Sequence, residues 1–228
     1  MLLKFRLLAF VQFLAVFYNN SIFSIKNARI KVAWRNMNLH NQTFVTNTIN
    51  ETYFPKDKVK VGKHSYGPLC VHHFGTSGEN LVIGNYCSIS FGVKFILGGN
   101  HSTSTFSTFP FRYYFNNQEC EAWSKGSIII EDDVWIGTDA IILSGVKLGK
   151  GTIVAAGSVI TKSTLPYSLI AGNPAKLIKM RFDDAIIKVL MDIDFGKIDE
   201  KRIKGLLPKM YMPLNETQIL EIKNELLK

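Results

Sequence analysis

The chain has 228 residues, of which 46% are hydrophobic and 20% are charged, so it is not a wholly disordered protein and is long enough for one domain with its own core. Its mean hydropathy of +0.09 excludes a protein that crosses the membrane many times. The net charge of +9 comes almost entirely from residues 1–63, which contain ten Lys and Arg and two acidic residues. This basic segment favours an anionic partner, such as a membrane face or a phosphate-bearing ligand, whereas the sequence contains no nucleic-acid-binding motif.

The first predicted element is an apolar helix at the beginning of the chain. Its uncharged run, Leu7–Tyr18, is only twelve residues long, and a membrane-spanning helix needs about 20. The sequence Asn19-Asn20-Ser21 is a poor cleavage site for a signal peptide. We therefore expect a cytoplasmic protein in which residues 1–35 either pack on the flank of the domain or contact the membrane peripherally. Basic residues that would face anionic lipids are Lys26, Arg29, Lys31 and Arg35.

A six-residue repeat organises the middle of the chain. Its first position is always bulky and apolar: Ile83, Ile89, Phe95, Ile130, Ile136, Ile142, Leu148, Val154 and Ile160. Its fifth position is always small or β-branched: Cys87, Val93, Gly99, Val134, Ala140, Val146, Thr152, Ser158 and Thr164. A period of six fits neither an α-helix nor a simple alternating strand, but it fits a short strand followed by a tight corner. Three such sides form an 18-residue coil, so the sequence predicts an all-β parallel β-helix.

A long loop interrupts this repeat. Ile83 and Ile130 are 47 residues apart, whereas one coil needs 18. The difference leaves 29 residues, 101–129, outside the β-helix. A long loop in a compact repeat protein is usually functional. Residues 106–115 contain six aromatic side chains, which must bury against a neighbouring subunit, an acceptor substrate or both. His101 stands where the loop departs, and an imidazole there could take a proton from a hydroxyl or an amine.

These motifs resemble the hexapeptide-repeat acyltransferases, and within them the xenobiotic acyltransferase branch. The narrower resemblance rests on GGNHSTSTFSTFPF at 98–111, DDVWIG at 132–137, AAGSVITK at 155–162 and AGNPAK at 171–176. It covers about residues 55–195. It implies a left-handed β-helix, acetyl-CoA as co-substrate without a metal, and a homotrimer in which two subunits share each site.

The resemblance also implies roles for individual residues. His101 would be the base that deprotonates the acceptor for direct attack on acetyl-CoA. The candidate coenzyme contacts are Trp135 and Thr138 at the thioester end, Ala156 at the pantetheine, Thr161 and Lys162 further along it, and Lys176 and Lys179 near the nucleotide phosphates. The candidate acceptor contacts are Tyr66, Phe106 and Phe109. The alternatives are that the lysines are merely solvated, that Tyr66 is a stacked corner residue, and that the loop aromatics only pack at an interface.

The predicted organisation has three parts. Residues 1–54 form the N-terminal helix and lead-in, residues 55–178 the β-helix with its loop at 101–129, and residues 179–228 a helical tail. In the tail, Asp183 or Asp184 is expected to cap one helix and Asn215 another. The tail lacks the Trp-rich sequence of the xenobiotic enzymes, and residues 34–43 look more like acetyltransferases of surface-polysaccharide gene clusters.

The leading functional hypothesis is an acetyl-CoA-dependent O-acetyltransferase of a sugar hydroxyl in a bacterial surface polysaccharide or its precursor. The alternatives are an O-acetyltransferase of chloramphenicol- or streptogramin-type antibiotics and an N-acetyltransferase of a nucleotide-linked amino sugar. A metal-dependent protein of the γ-carbonic-anhydrase type is disfavoured because the adjacent His72 and His73 would point in opposite directions on a strand. A scaffold without activity would leave His101 unexplained. The roles of Cys70, Cys87 and Cys120, an odd number without a C-x-x-C pair, stay open.

Overall fold

A computed structural model describes residues 2–46, 54–116 and 121–226, without the side chains of residues 2–17, 19 and 20. Cys120 lies outside the described residues. The helices are α1 (Leu2–Met37), α2 (Phe111–Phe115), α3 (Asp184–Met191), α4 (Glu200–Met210) and α5 (Glu216–Leu226). The strands are β1 (Gln42–Val45), β2 (Val59–Val61), β3 (Tyr66–His72), β4 (Leu81–Ile83), β5 (Ser88–Ile89), β6 (Lys94–Ile96), β7 (Ile128–Ile130), β8 (Trp135–Ile136), β9 (Ile141–Leu143), β10 (Lys147–Leu148), β11 (Ile153–Val154), β12 (Val159–Ile160), β13 (Ser168–Gly172) and β14 (Ala175–Met180).

The strands stack into the three faces of a triangular β-helix, as the repeat predicts. Face A consists of the start of β3 with β5, β8, β11 and β13. Face B consists of β2, β4, β7 and β10, and face C of the end of β3 with β6, β9 and β12. Neighbouring strands within each face are parallel, and β14 closes face A by pairing antiparallel with β13.

Three edges join these faces, and each carries a different structure. The A–C edge is formed by the turns at 90–93, 137–140 and 155–158, and the A–B edge by those at 84–87, 131–134 and 149–152. The B–C edge is formed by the turns at 73–80, 97–100 and 144–146. The chain leaves the coil after residue 100, so the long loop projects from the B–C edge.

The first, fourth and fifth positions of the hexad have different structural roles. All nine first-position side chains are buried, with at most 2% of their surface exposed. The fifth position is buried in seven of the nine hexads, and Gly99 and Thr164 are intermediate. The structure adds that the fourth position has a positive φ in eight hexads, at His64, Tyr86, Gly92, Asp133, Asp139, Gly145, Gly151 and Gly157, whereas in the hexad from Phe95 the positive φ is at the fifth residue, Gly99. At these eight corners the left-handed residue turns the chain, and Gly recurs there because it adopts that conformation at little cost.

The N-terminal segment is tied to the first coil more closely than the sequence indicates. One helix continues to Met37, well beyond the apolar residues 1–18. Its Trp34 is buried against Phe54, with ring centroids 5.0 Å apart, and donates to Thr43 Oγ1 at 3.3 Å. Strand β1 pairs with β3, so the sheet begins before the predicted boundary at residue 55. The sequence does not predict this, because pairing with a distant strand leaves no local pattern. Over the side chains that the structure describes, no helix is long and apolar enough to cross a membrane.

The C-terminal tail packs on the A–B edge. Asp183 caps α3 and Asn215 caps α5, as predicted, each accepting a backbone N–H at 2.9 Å. Helix α4, capped by Asp199, is not predicted. Lys150 reaches from the β-helix to the end of α3, where its ammonium donates to the carbonyls of Leu190 at 3.0 Å and Met191 at 3.2 Å, and to that of Ile193. The last carbonyls of a helix have no i+4 amide partner within it and carry a partial negative charge, so the ammonium is favoured there and fixes the tail to the coil.

The loop is shorter than its predicted range of 101–129. Asn100 and Trp123 exchange two backbone hydrogen bonds, each 3.0 Å long. Ser124 then donates to the carbonyl of Leu97, and β7 begins at Ile128. The coil therefore resumes after Trp123, and the protrusion is the 101–122 loop. The repeat arithmetic places the return too late because residues 124–127 complete the coil without matching the hexad pattern.

Candidate active site

His101 is the first residue of the 101–122 loop and is exposed at the B–C edge. Its Nδ1 lies 2.8 Å from the carbonyl oxygen of Thr108. A carbonyl oxygen only accepts, so this contact places the ring proton on Nδ1 and leaves the lone pair on Nε2. The loop thereby folds back on its own first residue and fixes the orientation of the imidazole.

A cavity of about 460 Å³ opens beside this imidazole. Its polar walls are Ser102, Thr105, Ser107, Thr108, Arg112 and Glu121, and its aromatic walls are Phe106, Phe109, Phe111 and Trp123. Phe106 is fully exposed, whereas Phe109 stacks on Tyr114 with ring centroids 5.0 Å apart. The structure thus brings two of the three predicted acceptor contacts, Phe106 and Phe109, to His101.

Three of the predicted coenzyme contacts gather on and beside the A–C edge. Trp135 stands on β8 with about half of its surface exposed. Thr138 follows at the next corner, where its hydroxyl hydrogen-bonds with that of Ser90 at 2.8 Å and its carbonyl accepts from Gly157 N–H at 2.8 Å. A Cβ on Gly137 would lie 2.7 Å from the amide nitrogen of Ala156, so the glycine lets the two coils approach closely. Thr161 and Lys162 are exposed just beyond β12 on face C.

The two remaining predicted coenzyme contacts, Lys176 and Lys179, lie on β14 and are exposed. A register shift between Leu169 and Ile170 pairs Lys179 with Leu169 and Lys176 with Ala171. Paired residues of an antiparallel ladder point to the same side, so the bulge places both lysines on the outer side of face A although they are three residues apart. Lys179 continues the outward row of Trp135, Ile153 and Leu169, three strand steps or roughly 14 Å from Trp135.

Tyr66, the third predicted acceptor contact, belongs to this same outward row. It pairs with Ser88, which pairs with Trp135, so Tyr66 lies two strand steps from the indole. None of the contacts between described residues joins Tyr66, Trp135 or Thr138 to His101. His101 and the candidate coenzyme surface occupy different edges of one chain.

Comparisons with known proteins decide the family. A family model described as bacterial transferase hexapeptide (six repeats) matches residues 127–162. A chloramphenicol acetyltransferase from Klebsiella aerogenes is 34% identical over 171 residues, which cover 67% of this chain and 81% of that protein. This chain belongs to the hexapeptide-repeat acetyltransferases.

Two further comparisons describe this acetyltransferase. A virginiamycin A acetyltransferase from Staphylococcus aureus is 34% identical over 186 residues, covering 75% of this chain and 84% of that protein. A crystal structure of a hexapeptide-repeat-containing acetyltransferase from Vibrio cholerae matches with a TM-score of 0.51 and 26% identity, over 69% of this chain and 82% of that one. The hexapeptide repeats that this chain shares with these acetyltransferases imply that its β-helix winds left-handed. The similarity to chloramphenicol and virginiamycin A acetyltransferases confirms the predicted xenobiotic branch and enzyme class. Acetyltransferases of this family use acetyl-CoA, which confirms the predicted co-substrate.

Several groups at the site of this acetyltransferase escape sequence reasoning. The carbonyl of Thr108 carries no side-chain signal, and Arg112, Glu121 and Trp123 reach the cavity only through the loop's return path. Trp123 alone had a usable signal, as an aromatic residue near the end of an aromatic-rich loop. Within the part of the chain that the structure describes, no three His, Cys, Asp or Glu side chains form a group that could hold a metal ion.

Proposed function

We propose that this acetyltransferase transfers the acetyl group of acetyl-CoA directly to a sugar hydroxyl of a bacterial surface polysaccharide or its precursor, with His101 as the general base. The observation that carries the proposal is the His101 imidazole, whose Nδ1 is 2.8 Å from the Thr108 carbonyl and whose Nε2 is therefore the basic nitrogen. The cavity beside it has hydroxyl, guanidinium and carboxylate walls. Such groups suit an acceptor with several hydroxyls, and the aromatic rings suit the apolar face of a sugar ring.

The proposed reaction needs one proton carrier. His101 Nε2 takes the proton of the acceptor hydroxyl as its oxygen attacks the thioester carbonyl. The tetrahedral intermediate collapses, the carbon–sulfur bond breaks, and the imidazolium returns the proton to the sulfur of CoA. General base catalysis of this kind contributes roughly 10²–10⁴-fold to the rate.

The coenzyme surface follows from the outward row on face A and the adjacent A–C edge. Trp135 and Thr138 would flank the thioester, the backbone of Ala156 would meet the pantetheine, and Thr161 and Lys162 would contact it further along. Lys176 and Lys179 would approach the phosphates. The observation in support is the bulge in the β13–β14 hairpin, which turns both ammonium groups to one side. Lysine is suited to phosphate as a mobile point charge.

The separation of base and coenzyme surface within one chain supports a site shared by two subunits of a homotrimer. The 101–122 loop of one subunit would reach the A–C edge and the adjoining face A of its neighbour, where Tyr66 of face A would join the acceptor contacts. Exposed aromatic side chains on the loop, including Phe106, Phe111 and Phe115, would be covered by this packing.

A second candidate acceptor is an antibiotic of the chloramphenicol or streptogramin type. The observation in its favour is the similarity to acetyltransferases of chloramphenicol and virginiamycin A. The reaction and the role of His101 would be unchanged, because the acceptor is again a hydroxyl.

The deciding experiment measures free-thiol release from acetyl-CoA with a panel of surface-polysaccharide repeat units, amino sugars, chloramphenicol and virginiamycin A. His101→Asn should lower kcat by roughly 10²–10⁴-fold while acetyl-CoA still binds. His64→Asn is the matched control, because His64 pairs with Glu200 on the A–B edge, away from the cavity. Unchanged turnover in His101→Asn would remove the base assignment, and turnover of only an antibiotic would replace the polysaccharide acceptor.

We also propose peripheral membrane contact through residues 1–35, which would keep the enzyme near a lipid-linked precursor. In support, Tyr18, Ile25 and Val32 of α1 are exposed apolar residues seven apart, on one side of the helix. Deletion of residues 1–20, which removes the apolar start of α1 and Tyr18 but leaves Ile25 and Val32, should weaken flotation with vesicles containing phosphatidylglycerol and leave thiol release intact. Flotation of the truncated protein equal to that of the full chain would contradict this contact.

A further inference from the structure

We propose that Glu79 is a positioning residue for His101, acting through the backbone of Gly98 and Gly99. The inference rests on the proposed function, because it assigns a support to the base named there. Glu79 lies in the B–C turn of the preceding coil, directly beneath the turn from which the 101–122 loop departs. Its side chain is completely buried although it is a carboxylate.

The Glu79 carboxylate organises the turn around it. Oε1 and Oε2 accept from the backbone N–H of Phe74 at 3.0 and 3.2 Å, and Oε2 accepts from that of Gly75 at 3.1 Å. The Thr76 hydroxyl donates to Oε1 at 2.9 Å, and the Lys58 ammonium lies 3.4 Å from Oε2. A buried carboxylate is tolerated when its lone pairs are filled by donors in this way.

The turn that contains Glu79, residues 73–80, packs beneath Gly98 and Gly99, which lead into the 101–122 loop. A Cβ on Gly98 would overlap Glu79 Oε1 and lie 3.2 Å from the Thr76 hydroxyl. Gly99 has a φ of +82°, and a Cβ there would lie 2.7 Å from the Phe74 ring. The carboxylate, and the ring of the residue whose backbone N–H it accepts, therefore pack closely against the two glycines whose backbone leads to His101.

The next two residues carry this placement to the imidazole. Asn100 is held by its backbone pairing with Trp123, and its side chain donates to the Trp123 carbonyl at 3.0 Å and to Ser144 Oγ at 3.4 Å. His101 follows directly. A shift of the turn at residues 73–80 would therefore move His101 relative to a coenzyme bound on another edge. A misplacement of about 1 Å can lower the rate roughly 100-fold.

The charge of Glu79, and not only its shape, is required by this arrangement. The neutral side chain of glutamine keeps the size but replaces one acceptor oxygen by an amide NH₂. That group would face the N–H or hydroxyl donors of Phe74, Gly75 and Thr76. At least one donor would lose its partner, and the turn would move to recover it.

The test compares Glu79→Gln with Glu131→Gln in the full-length enzyme by thiol release and by thermal unfolding. Glu131 is the matched control because its carboxylate also accepts a backbone N–H, that of Lys150 at 2.8 Å, and also pairs with a lysine, but on the A–B edge. We expect Glu79→Gln to lower kcat by roughly 10- to 100-fold with KM for acetyl-CoA within about twofold of wild type. Glu131→Gln should lower the unfolding temperature without lowering kcat.

A second variant covers the case in which Glu79→Gln does not fold. Phe74→Leu leaves the carboxylate in place but removes the ring over Gly99, and it should also lower kcat with KM unchanged. Wild-type kcat in a folded Glu79→Gln or Phe74→Leu enzyme would overturn the inference. If instead His101→Asn is fully active, the proposed base fails; this outcome is read from a different variant and is distinguishable.

Discussion

At the scale of single residues, the corners of the coil set the chemistry of a side chain by excluding water. Cys87 fills the fifth position of its hexad and has no exposed surface. Burial raises the pKa of its thiol to about 12. The thiol form is neutral and packs without a charge to solvate, so the residue serves as a small apolar filler of the corner.

Cys87 should therefore resist alkylation in the native protein. With a pKa of about 12, roughly one thiol in 10⁴ is ionised at pH 8, and the thiolate is the reactive form. Peptide mass spectrometry after iodoacetamide treatment should find Cys87 unmodified in the native protein and modified after unfolding in guanidinium. Cys70, which is half-buried, should react slowly and serves as the internal comparison. Rapid native modification of Cys87 at pH 8 would show that the corner opens.

At the scale of elements, the hexad combines a strand with a corner whose backbone is left-handed. The fourth residue has a positive φ at eight corners, and glycine adopts that conformation at little cost. Asp133, Asp139, Tyr86 and His64 adopt it as well. Packing of the strands on both sides maintains the corner even where the residue is not glycine.

Two glycine substitutions should have opposite effects on stability. Gly157 has a φ of +69° with no atom within 4 Å of a Cβ, so Gly157→Ala should cost about 1–2 kcal/mol from backbone strain alone. Gly205 lies inside α4, also with open space around a Cβ, so Gly205→Ala should stabilise that helix by about 0.5–1 kcal/mol. Thermal unfolding should show a lower midpoint for the first variant and a higher one for the second. Equal shifts in the same direction would contradict the role of the fourth position.

At the scale of the whole molecule, each of the three edges of the β-helix carries a different structural or candidate functional group. The A–B edge carries the C-terminal helices through Lys150, whose burial lowers the pKa of its ammonium. The B–C edge carries His101, and the A–C edge carries Thr138 and Ala156. A complete site in the proposed function then requires two chains, because the described contacts of one chain do not bring these edges together.

Mixed assemblies of the proposed homotrimer should show whether His101 and the coenzyme surface of one site come from different subunits. His101→Asn and the double variant Lys176→Glu with Lys179→Glu should each be nearly inactive alone. In trimers assembled at random from equal amounts of both, about a quarter of the sites would combine an intact base from one subunit with an intact coenzyme surface from its neighbour. Acetyl transfer should return to roughly that fraction of the wild-type rate after co-refolding. Absence of recovery in trimers shown by mass spectrometry to be mixed would contradict a shared site.

The β-helix could be predicted from the sequence because its period is local. Each hexad contains its own strand and corner, so the inward position of Ile136 or the buried position of Ala140 follows from six neighbouring residues. The caps Asp183 and Asn215 are local in the same sense. His101 could be singled out as a candidate because it stands where the repeat stops.

The tertiary structure decided what depends on residues distant along the chain. The loop ends where Asn100 meets Trp123, both lysines of β14 share one side because of a bulge against β13, and Lys150 holds the tail by carbonyls about 40 residues away. Glu79 reads in the sequence as an ordinary surface acid, yet folding buries it under Gly98. Such contacts form because stacking of the coils brings together residues that are a full turn or more apart along the chain. The residue pattern of any one hexad therefore does not predict them.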